Sequence, residues 1–213
     1  MNFFEFYKEQ VNNPSHIPTD KNEGHNYIET YYNERLTPLA NEYVNFLEIG
    51  TFKFGSLILF RDWFVNGNVI GMDANPLIYH ESEKDFVYVS QYEEYSNQFD
   101  KNGLSKTIIP GCDFYMRDAY SQDTLSLFED VYFDFIVEDG SHALEDQKYA
   151  VINWSKKIKP GGILVIEDIQ DINHCLIFNE LLNQDYEKNT IDLRHLRPSV
   201  SKDTILYEIK RLR

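Results

Sequence analysis

Short apolar segments alternate with amphipathic segments through most of the chain beyond residue 44. The apolar segments that read as strands are VNFLEIG (44–50), NVIGMDA (68–74), YFDFIVEDG (132–140) and GGILVIEDI (161–169). The segments between them include candidate helices at 56–64 and at 142–159, the second ended by Pro160-Gly161-Gly162. Strands that alternate with helices are typical of a parallel sheet with right-handed crossovers. The pattern predicts a three-layer α/β, Rossmann-like fold on a mostly parallel sheet.

Weaker patterns complete the predicted architecture. Helices at about 2–12 and 26–36 predict an N-terminal helical cap over residues 1–40, followed by a main domain over residues 41–213. The shorter candidate elements are a helix near 78–83, strands near 85–89 and 112–120, and helices near 121–128 and 174–184. Two late strands, at 189–196 and 203–212, are joined by residues 197–202 and predict an antiparallel hairpin at the sheet edge.

The acidic composition restricts the class of partner. The net charge of −15, from 20 basic and 35 acidic residues, disfavours nucleic acids and anionic membranes. No apolar run approaches the ~20 residues that span a bilayer, and the N-terminus has no signal-peptide pattern. Cys112 and Cys175 are too widely spaced to form a metal-type or redox-type pair, so no disulfide framework is expected. We therefore expect a cytoplasmic protein with a small-molecule partner, and a homo-oligomer is left open.

A glycine-containing turn follows the first predicted strand, within FLEIGTFKFGS (46–56). Gly50 permits positive φ and a close approach of the backbone to a ligand, and backbone N–H groups at the next helix start can bind a polar group. In open α/β sheets, ligands bind beyond the carboxyl ends of the strands. The dinucleotide fingerprint G-x-G-x-x-G is absent because residue 52 is Phe, which argues against an NAD enzyme. A purely structural turn is the alternative.

Further acids follow later strands. Asp73 comes 25 residues after Glu48 and ends the next strand, where a carboxylate can accept hydrogen bonds from both hydroxyls of a ribose. Taken alone, Asp73 is equally typical of a turn. Asp118-Ala119 follows another candidate strand at a position that suits the edge of an adenine, and Asp113 is an equally good candidate there. Together these acids indicate a nucleoside-containing cofactor.

These motifs resemble those of the class I S-adenosylmethionine-dependent methyltransferases. The resemblance rests on LEIGTFKFGS, the Asp of IGMDA, the Asp-Ala of RDAY and the late hairpin, and runs from about residue 45 to the end. It implies that Gly50 and its neighbours contact the methionine part, Asp73 the ribose and Asp118 the adenine. The full set of implied cofactor-binding residues is Glu48, Gly50, Thr51, Gly55, Ser56, Asp73, Asp118 and Ala119.

Acids also end two strong strands, in VEDGSH (137–142) and VIEDIQD (165–171). Adjacent parallel strands would bring Asp139 close to Glu167 and Asp168, and three carboxylates repel each other unless a cation lies between them. Mg²⁺ suits two or three carboxylates with waters and a substrate oxygen. The alternative is that each acid caps a helix or faces solvent. His142 could accept a proton near neutral pH, since its reference pKa is about 6.5, or it could simply pack.

Three further features restrict the resemblance to one group of methyltransferases: the D-G-S-H sequence, the long helix after it and the GG-x-L-V-I-E-D segment. Together they resemble the metal-dependent sugar O-methyltransferases of macrolide biosynthesis, of the macrocin and mycinamicin type, and their cephalosporin-hydroxylase-like relatives. This resemblance implies a Mg²⁺ ion held by Asp139, Glu167 and Asp168, with His142 as general base and Asp139 in the catalytic set. The expected function is Mg²⁺-dependent, S-adenosylmethionine-dependent O-methylation of a hydroxyl on a small molecule or sugar.

Other functions account for fewer of these residues. A metal-independent N- or O-methyltransferase would not need the carboxylate group, and its activity would survive EDTA. An NAD-type oxidoreductase lacks its glycine triplet here, and a binding test with both cofactors separates the two classes. A non-catalytic module that binds a nucleotide or a partner could use the fifteen tyrosines as a surface, although these residues can equally pack a core.

Overall fold

The computed structural model describes residues 1–13, 16–23, 25–196 and 204–213. In chain order the helices and strands are α1 (Phe3–Val11), α2 (Asp20–Glu23), a π-helical turn (Ile28–Tyr32), α3 (Asn33–Leu36), β1 (Asn45–Ile49), α4 (Gly55–Trp63), β2 (Asn68–Asp73), β3 (Leu77–His80), β4 (Asp85–Tyr88), α5 (Glu93–Ser96), β5 (Leu104–Ser105), β6 (Asp113–Met116), α6 (Gln122–Leu125), β7 (Phe133–Glu138), α7 (Leu144–Asn153), β8 (Ile158–Ile166), α8 (Ile172–Leu181), β9 (Tyr186–Asp192) and β10 (Ile205–Arg211). Among these residues, no helix has the length and apolarity that crossing a membrane requires.

The chain divides into two compact units. Unit 1 comprises Met1–Val44 and Gly50–Arg117, and unit 2 comprises Asn45–Ile49 and Asp118–Arg213. The division assigns strand β1 to unit 2 and the turn that follows it to unit 1. The expected boundary between a cap at 1–40 and a domain at 41–213 stays a prediction.

Aromatic packing anchors the first helix of unit 1. A capping box begins α1: the Asn2 side chain accepts a hydrogen bond from the Glu5 N–H, and the Glu5 carboxylate accepts one from the Asn2 N–H. Phe3 then packs against Phe60 and Trp63 of α4, with ring centroids 5.9 and 5.2 Å apart. The helix expected at about 2–12 is therefore present.

The strands of unit 1 form two separate groups, one of three strands and one of two. β2 pairs in parallel with β6, and β5 pairs antiparallel with β6. β3 and β4 form an antiparallel hairpin in which Tyr79 lies opposite Phe86, with ring centroids 5.7 Å apart. The helix predicted near 78–83 is therefore wrong. A cross-strand ring contact and the positive φ of Lys84 in the turn favour the hairpin, and neither is visible in local periodicity.

Unit 2 contains the strands that position the candidate metal site. Their order is β1-β7-β8-β10-β9. β1 pairs in parallel with β7 and β7 with β8, whereas β10 pairs antiparallel with both β8 and β9. The predicted α/β class and the C-terminal antiparallel hairpin are confirmed, and the connection at 197–202 lies outside the described residues. Phe46 and Phe135 stack at 5.8 Å across the β1–β7 pair, where both side chains are fully buried.

The helix before β8 is shorter than predicted. α7 ends at Asn153, a 3₁₀ turn covers Trp154–Lys157, and β8 already begins at Ile158. Pro160-Gly161-Gly162 lies inside the strand rather than at the helix end. The strand is irregular at this point: Gly161 has φ +83°, and the β7–β8 register shifts between Phe133 and Phe135. The tripeptide therefore marks an irregular point in a strand. In sequence, such a point looks the same as a signal that ends a helix.

Candidate metal and cofactor sites

The loops that follow β7 and β8 start from neighbouring positions at one sheet edge. Glu138 and Ile166, the last residues of the two strands, are register partners in the parallel pair. The ladder continues one residue further, since the Asp139 N–H donates to the Ile49 carbonyl at 2.9 Å and the Glu167 N–H donates to the Glu138 carbonyl at 2.8 Å. The acids of both loops therefore begin side by side, as the sequence predicted.

Asp139, His142 and Asp168 converge beyond these strand ends, and we call them the Asp139 cluster. Each offers one ligand atom, and the three atoms lie within 4.8 Å of one another. His142 Nε2 is 3.2 Å from Asp139 Oδ1 and 4.0 Å from Asp168 Oδ2. The side chains of Asp139, His142 and Asp168 are 17%, 34% and 10% exposed, respectively. The cluster is therefore largely enclosed but open to solvent on the His142 side.

Two members of the cluster have unusual backbone geometry. His142 has φ +58° and Asp168 has φ +53°. Residues other than glycine rarely adopt positive φ, which costs on the order of 1 kcal/mol or more each and needs support from the surroundings. Part of that support is local, because the Ser141 hydroxyl accepts from the Ala143 N–H at 3.2 Å and donates to the Asp146 carboxylate. The strain falls on residues whose side chains converge.

The histidine of the cluster offsets part of its negative charge. The hydrogen bond to Asp139 and the charges of Asp139, Asp168 and Glu138 raise the pKa of His142 to about 9, against the effect of partial burial. His142 is therefore protonated at neutral pH in the metal-free protein. The imidazolium supplies the positive charge that a set of converging carboxylates requires. A metal ion and the proton on His142 thus compete for the same negative potential.

Glu167 lies beside the cluster without being one of its three members. Its side chain is buried, and its backbone carbonyl accepts a hydrogen bond from Gln147 Nε2 of α7 at 3.0 Å. The structure therefore brings together two of the three predicted metal ligands and the predicted base. Gln147, which fixes the backbone of the second loop, was missed because no sequence signal distinguishes it from other polar residues of the helix.

A hydrogen-bonded pair, the half-buried Tyr120 and the buried Glu138, lies directly behind the first loop. The Tyr120 hydroxyl donates to Glu138 Oε1 at 2.5 Å and accepts from the Ser141 N–H at 3.2 Å. Burial raises the pKa of the Glu138 carboxyl to about 7, and burial with the nearby Glu138 raises the pKa of Tyr120 above its usual value. The strand-end acid in VEDGSH was a usable signal for Glu138, whereas nothing in the sequence indicated Tyr120.

The glycine turn of unit 1 is fixed by Asp73. Gly50, with φ +83°, donates its N–H to the Met72 carbonyl at 2.8 Å. Asp73 Oδ2 accepts from the Phe52 N–H at 2.9 Å, and Oδ1 accepts from the Asn75 N–H at 2.8 Å. Each oxygen of this half-buried carboxylate keeps a further lone pair. The donor and acceptor chemistry of Asp73 therefore suits two additional hydroxyl groups, as a ribose would supply.

Three other predicted cofactor residues of unit 1 are mostly enclosed by protein. A Cβ at Gly55 would lie 2.3 Å from the Pro18 carbonyl oxygen, so the close approach of this backbone already requires glycine at the position. Thr51 and Ser56 are buried. The local reason for Gly55 is therefore packing within unit 1, and contact of these three residues with a cofactor stays a prediction.

The predicted cofactor residues of unit 2 differ in accessibility. Glu48 in β1 and Ala119 are buried, and the Ala119 carbonyl accepts from Trp154 Nε1 at 3.0 Å. Asp118 is exposed, with Oδ1 accepting from the Tyr120 N–H at 2.9 Å. Asp113, the alternative, is the first residue of β6 and thus lies at its amino end. Because ligands bind beyond carboxyl ends of strands, this placement favours Asp118 over Asp113.

Comparison with known families gives these residues a context. A family model described as a methyltransferase domain matches residues 47–169, which is more than half of the chain and includes every predicted site residue. The chain belongs to this methyltransferase family. The curated demethylmacrocin O-methyltransferase of Streptomyces fradiae is 24% identical over 146 residues, which cover 65% of this chain and 31% of that protein. The chain thus spans about a third of the length of this curated relative.

Solved methyltransferases share the fold at low identity. The MycE methyltransferase from the mycinamycin biosynthetic pathway, in complex with Mg, SAH and mycinamycin VI, is 20% identical with a TM-score of 0.53, over 79% of this chain and 39% of that one. Another MycE crystal form, with Mg and SAH, is 16% identical with a TM-score of 0.63, over 100% and 55%.

A putative rRNA-methylase from Clostridium thermocellum is 12% identical with a TM-score of 0.55, over 92% of this chain and 98% of that one. At these identities the solved structures show the fold alone. Together with the family match and the curated relative, they confirm the resemblance to class I methyltransferases of the macrocin and mycinamicin type.

Proposed function

We propose that the chain is an S-adenosylmethionine-dependent O-methyltransferase that binds a divalent cation, Mg²⁺, at the Asp139 cluster and methylates a hydroxyl of a small molecule or sugar. The observation that carries the proposal is the convergence of Asp139, His142 and Asp168 beyond β7 and β8, in a chain of the methyltransferase family. Two comparisons support it: the curated relative is named as an O-methyltransferase, and the MycE structures contain Mg and SAH.

The residues of the cluster suit a hard divalent cation. Asp139 and Asp168 supply carboxylate oxygens, which Mg²⁺ prefers, and Glu167 is the proposed third ligand because it is adjacent to Asp168. When bound, such an ion supplies the Lewis acidity that lowers the pKa of a hydroxyl oxygen beside it. Neutral His142 would accept the proton of the acceptor hydroxyl at Nε2. The acceptor oxygen would then form a bond to the sulfonium methyl carbon as the carbon–sulfur bond breaks, leaving S-adenosylhomocysteine.

The cofactor is assigned to the predicted residues on chemical grounds. Asp73 would accept hydrogen bonds from the two ribose hydroxyls with the lone pairs that Phe52 and Asn75 leave available. The turn at Gly50 would contact the methionine part, and Asp118 would accept from the adenine amino group. The protein needs only to align the sulfonium with the acceptor oxygen and exclude water. Alignment alone lowers the activation free energy by several kcal/mol.

The decisive test is direct binding of Mn²⁺, a spectroscopically visible substitute for Mg²⁺. We expect the wild-type chain to bind Mn²⁺ in a paramagnetic-resonance titration. Asp139→Asn should bind it at least about tenfold more weakly, because one charged oxygen ligand is lost. The exposed Asp123 of α6 provides the matched control, since Asp123→Asn makes the same chemical change away from the cluster. Absence of Mn²⁺ binding by wild type, or equal binding by Asp139→Asn, would remove the metal site.

His142→Gln separates two roles for the histidine. If His142 is the base and not a ligand, the variant should bind Mn²⁺ at least as tightly as wild type, because the competing positive charge is gone, while methyl transfer is lost. If His142 Nε2 ligates the ion, Mn²⁺ affinity falls as well. S-adenosylhomocysteine binding, measured by calorimetry on the same samples, should be unchanged in either case, because neither role involves the cofactor.

The ion pair within the cluster favours a second candidate function. Protonated His142 already places a positive charge 3.2 and 4.0 Å from the two carboxylates, so the arrangement is also consistent with a metal-independent N- or O-methyltransferase. In that case methyl transfer to a suitable acceptor persists in excess EDTA. Loss of activity in EDTA and its recovery with added Mg²⁺ support the first proposal instead.

A further inference from the structure

The loop from Asp139 to Ala143 carries two of the three members of the Asp139 cluster, and its backbone is held from behind by two side chains. The Gly140 N–H donates to Glu138 Oε1 at 3.2 Å, and the next amide, Ser141 N–H, donates to the Tyr120 hydroxyl oxygen at 3.2 Å. Tyr120 in turn donates to Glu138 Oε1 at 2.5 Å. Two successive loop amides are therefore fixed by a pair of side chains that also bond to each other.

The pair is enclosed and closely packed. Glu138 is fully buried, and the Tyr120 ring packs edge-on against Tyr149 with centroids 6.4 Å apart. A Cβ at Gly140 would lie 2.0 Å from the Tyr120 hydroxyl oxygen, so only glycine leaves room for this oxygen against the loop. The Tyr120 hydroxyl therefore occupies the space that a side chain at position 140 would need.

We infer that Tyr120 and Glu138 are positioning residues that set the metal affinity of the Asp139 cluster. They fix the two amides that directly follow the proposed ligand Asp139, in the loop whose conformation leaves Asp139 Oδ1 3.2 Å from His142 Nε2. Groups that orient metal ligands from behind typically change metal affinity about 10- to 100-fold when they are removed. The inference rests on the proposed function, because it requires that the cluster binds a metal ion.

The first test removes one oxygen atom. Tyr120→Phe keeps the aromatic ring but leaves the Ser141 N–H without its acceptor, and we expect the Kd for Mn²⁺ to rise about tenfold. Tyr207→Phe is the matched control: its hydroxyl also donates within unit 2, to Asn179 Oδ1 at 2.8 Å, and the loop does not use it. That variant should bind Mn²⁺ within about twofold of wild type. If wild type binds no Mn²⁺, the proposed function fails; if wild type binds and Tyr120→Phe binds equally, the positioning role is overturned.

A second pair of variants separates hydrogen bonding from charge at Glu138. Glu138→Gln keeps an Oε1 acceptor for Tyr120 and Gly140, and should retain Mn²⁺ affinity within about threefold, whereas Glu138→Leu should lose tenfold or more. Thermal unfolding in EDTA identifies any sample that is not folded, and only folded samples are titrated. If Glu138→Gln is as weak as Glu138→Leu, the charge of Glu138 rather than its position sets the affinity, and the inference is overturned.

Discussion

Replacing Gly140 with alanine should reveal how tightly Tyr120 packs against the loop from Asp139 to Ala143. The added Cβ would lie 2.0 Å from the Tyr120 hydroxyl oxygen, and its next neighbours are Glu138 Oε1 at 3.0 Å and Tyr120 Cζ at 3.1 Å. Relieving the first contact requires a displacement of more than about 1 Å. Such a shift breaks the hydrogen bonds that link Tyr120 to Glu138 and Ser141, at roughly 1 kcal/mol each. With about 1 kcal/mol of packing strain, we expect Gly140→Ala to cost about 3 kcal/mol.

The double variant should show that the effects of the two substitutions are coupled. Tyr120→Phe removes the same two hydrogen bonds and should cost about 2 kcal/mol by itself. In Tyr120→Phe/Gly140→Ala the closest atom is gone, and contacts of 3.0 and 3.1 Å are tight but can relax by small shifts. The double variant should therefore cost about 3 kcal/mol rather than the sum of the single changes, a coupling of about 2 kcal/mol.

Urea unfolding in EDTA measures these differences without a contribution from bound metal. Tyr207→Phe combined with Gly140→Ala is the control cycle, and it should be additive because Tyr207 is bonded to Asn179 and not to the loop. If the Tyr120 and Gly140 changes add within about 0.5 kcal/mol, the hydroxyl does not lie against Gly140 and the packing argument is wrong.

Two further predictions concern individual titratable groups. In the metal-free protein, NMR should show His142 titrating near pH 9, because the hydrogen bond to Asp139 and the nearby carboxylates raise its pKa. This pKa is raised above the value of about 6.5 in the unfolded chain. The stabilisation of the folded state by protonated His142 is therefore complete below about pH 6.5 and is lost as the pH rises through about 9. A midpoint near 6.5 would contradict the cluster geometry. Asp73→Asn should weaken S-adenosylhomocysteine binding about tenfold in calorimetry, because bonds to a charged acceptor contribute about 1.5–3 kcal/mol, whereas Asp123→Asn should leave it unchanged. Unchanged affinity in Asp73→Asn would remove Asp73 from the ribose.

The sequence predicted those parts of the fold that follow from the alternation of apolar strands and amphipathic helices along the chain. Apolar segments of strand length predicted β1, β2, β7 and β8. Because the carboxyl ends of parallel strands meet at one edge of a sheet, the sequence also predicted that Asp139 lies near Asp168. The same local reasoning failed at 78–83, because the β3–β4 hairpin depends on pairing between Tyr79 and Phe86. Periodicity over a few residues cannot report a contact that is made across strands.

Contacts between distant residues account for what the sequence did not reveal of the candidate site. Tyr120 bonds to Glu138, 18 residues later, and Gln147 bonds to the carbonyl of Glu167, 20 residues later. Neither donor belongs to a recognisable motif, and each is identified only by the backbone it fixes. All three members of the cluster were predicted as site residues, but the positive φ of His142 and Asp168 was not visible in the sequence.

Because His142 lies close to both carboxylates, it cannot be a metal ligand and the general base at the same time. Nε2 is the nitrogen 3.2 Å from Asp139 Oδ1, and neutral imidazole has one lone pair there once Nδ1 carries the proton. That lone pair can bind a metal ion or accept a substrate proton, but it cannot do both at once. Mg²⁺ prefers oxygen ligands, so the base role requires Asp139 and Asp168 to hold the ion and leave Nε2 free. The positive charge of the ion would then oppose the carboxylates that raise the pKa of His142, returning the imidazole to the neutral form that can take a proton.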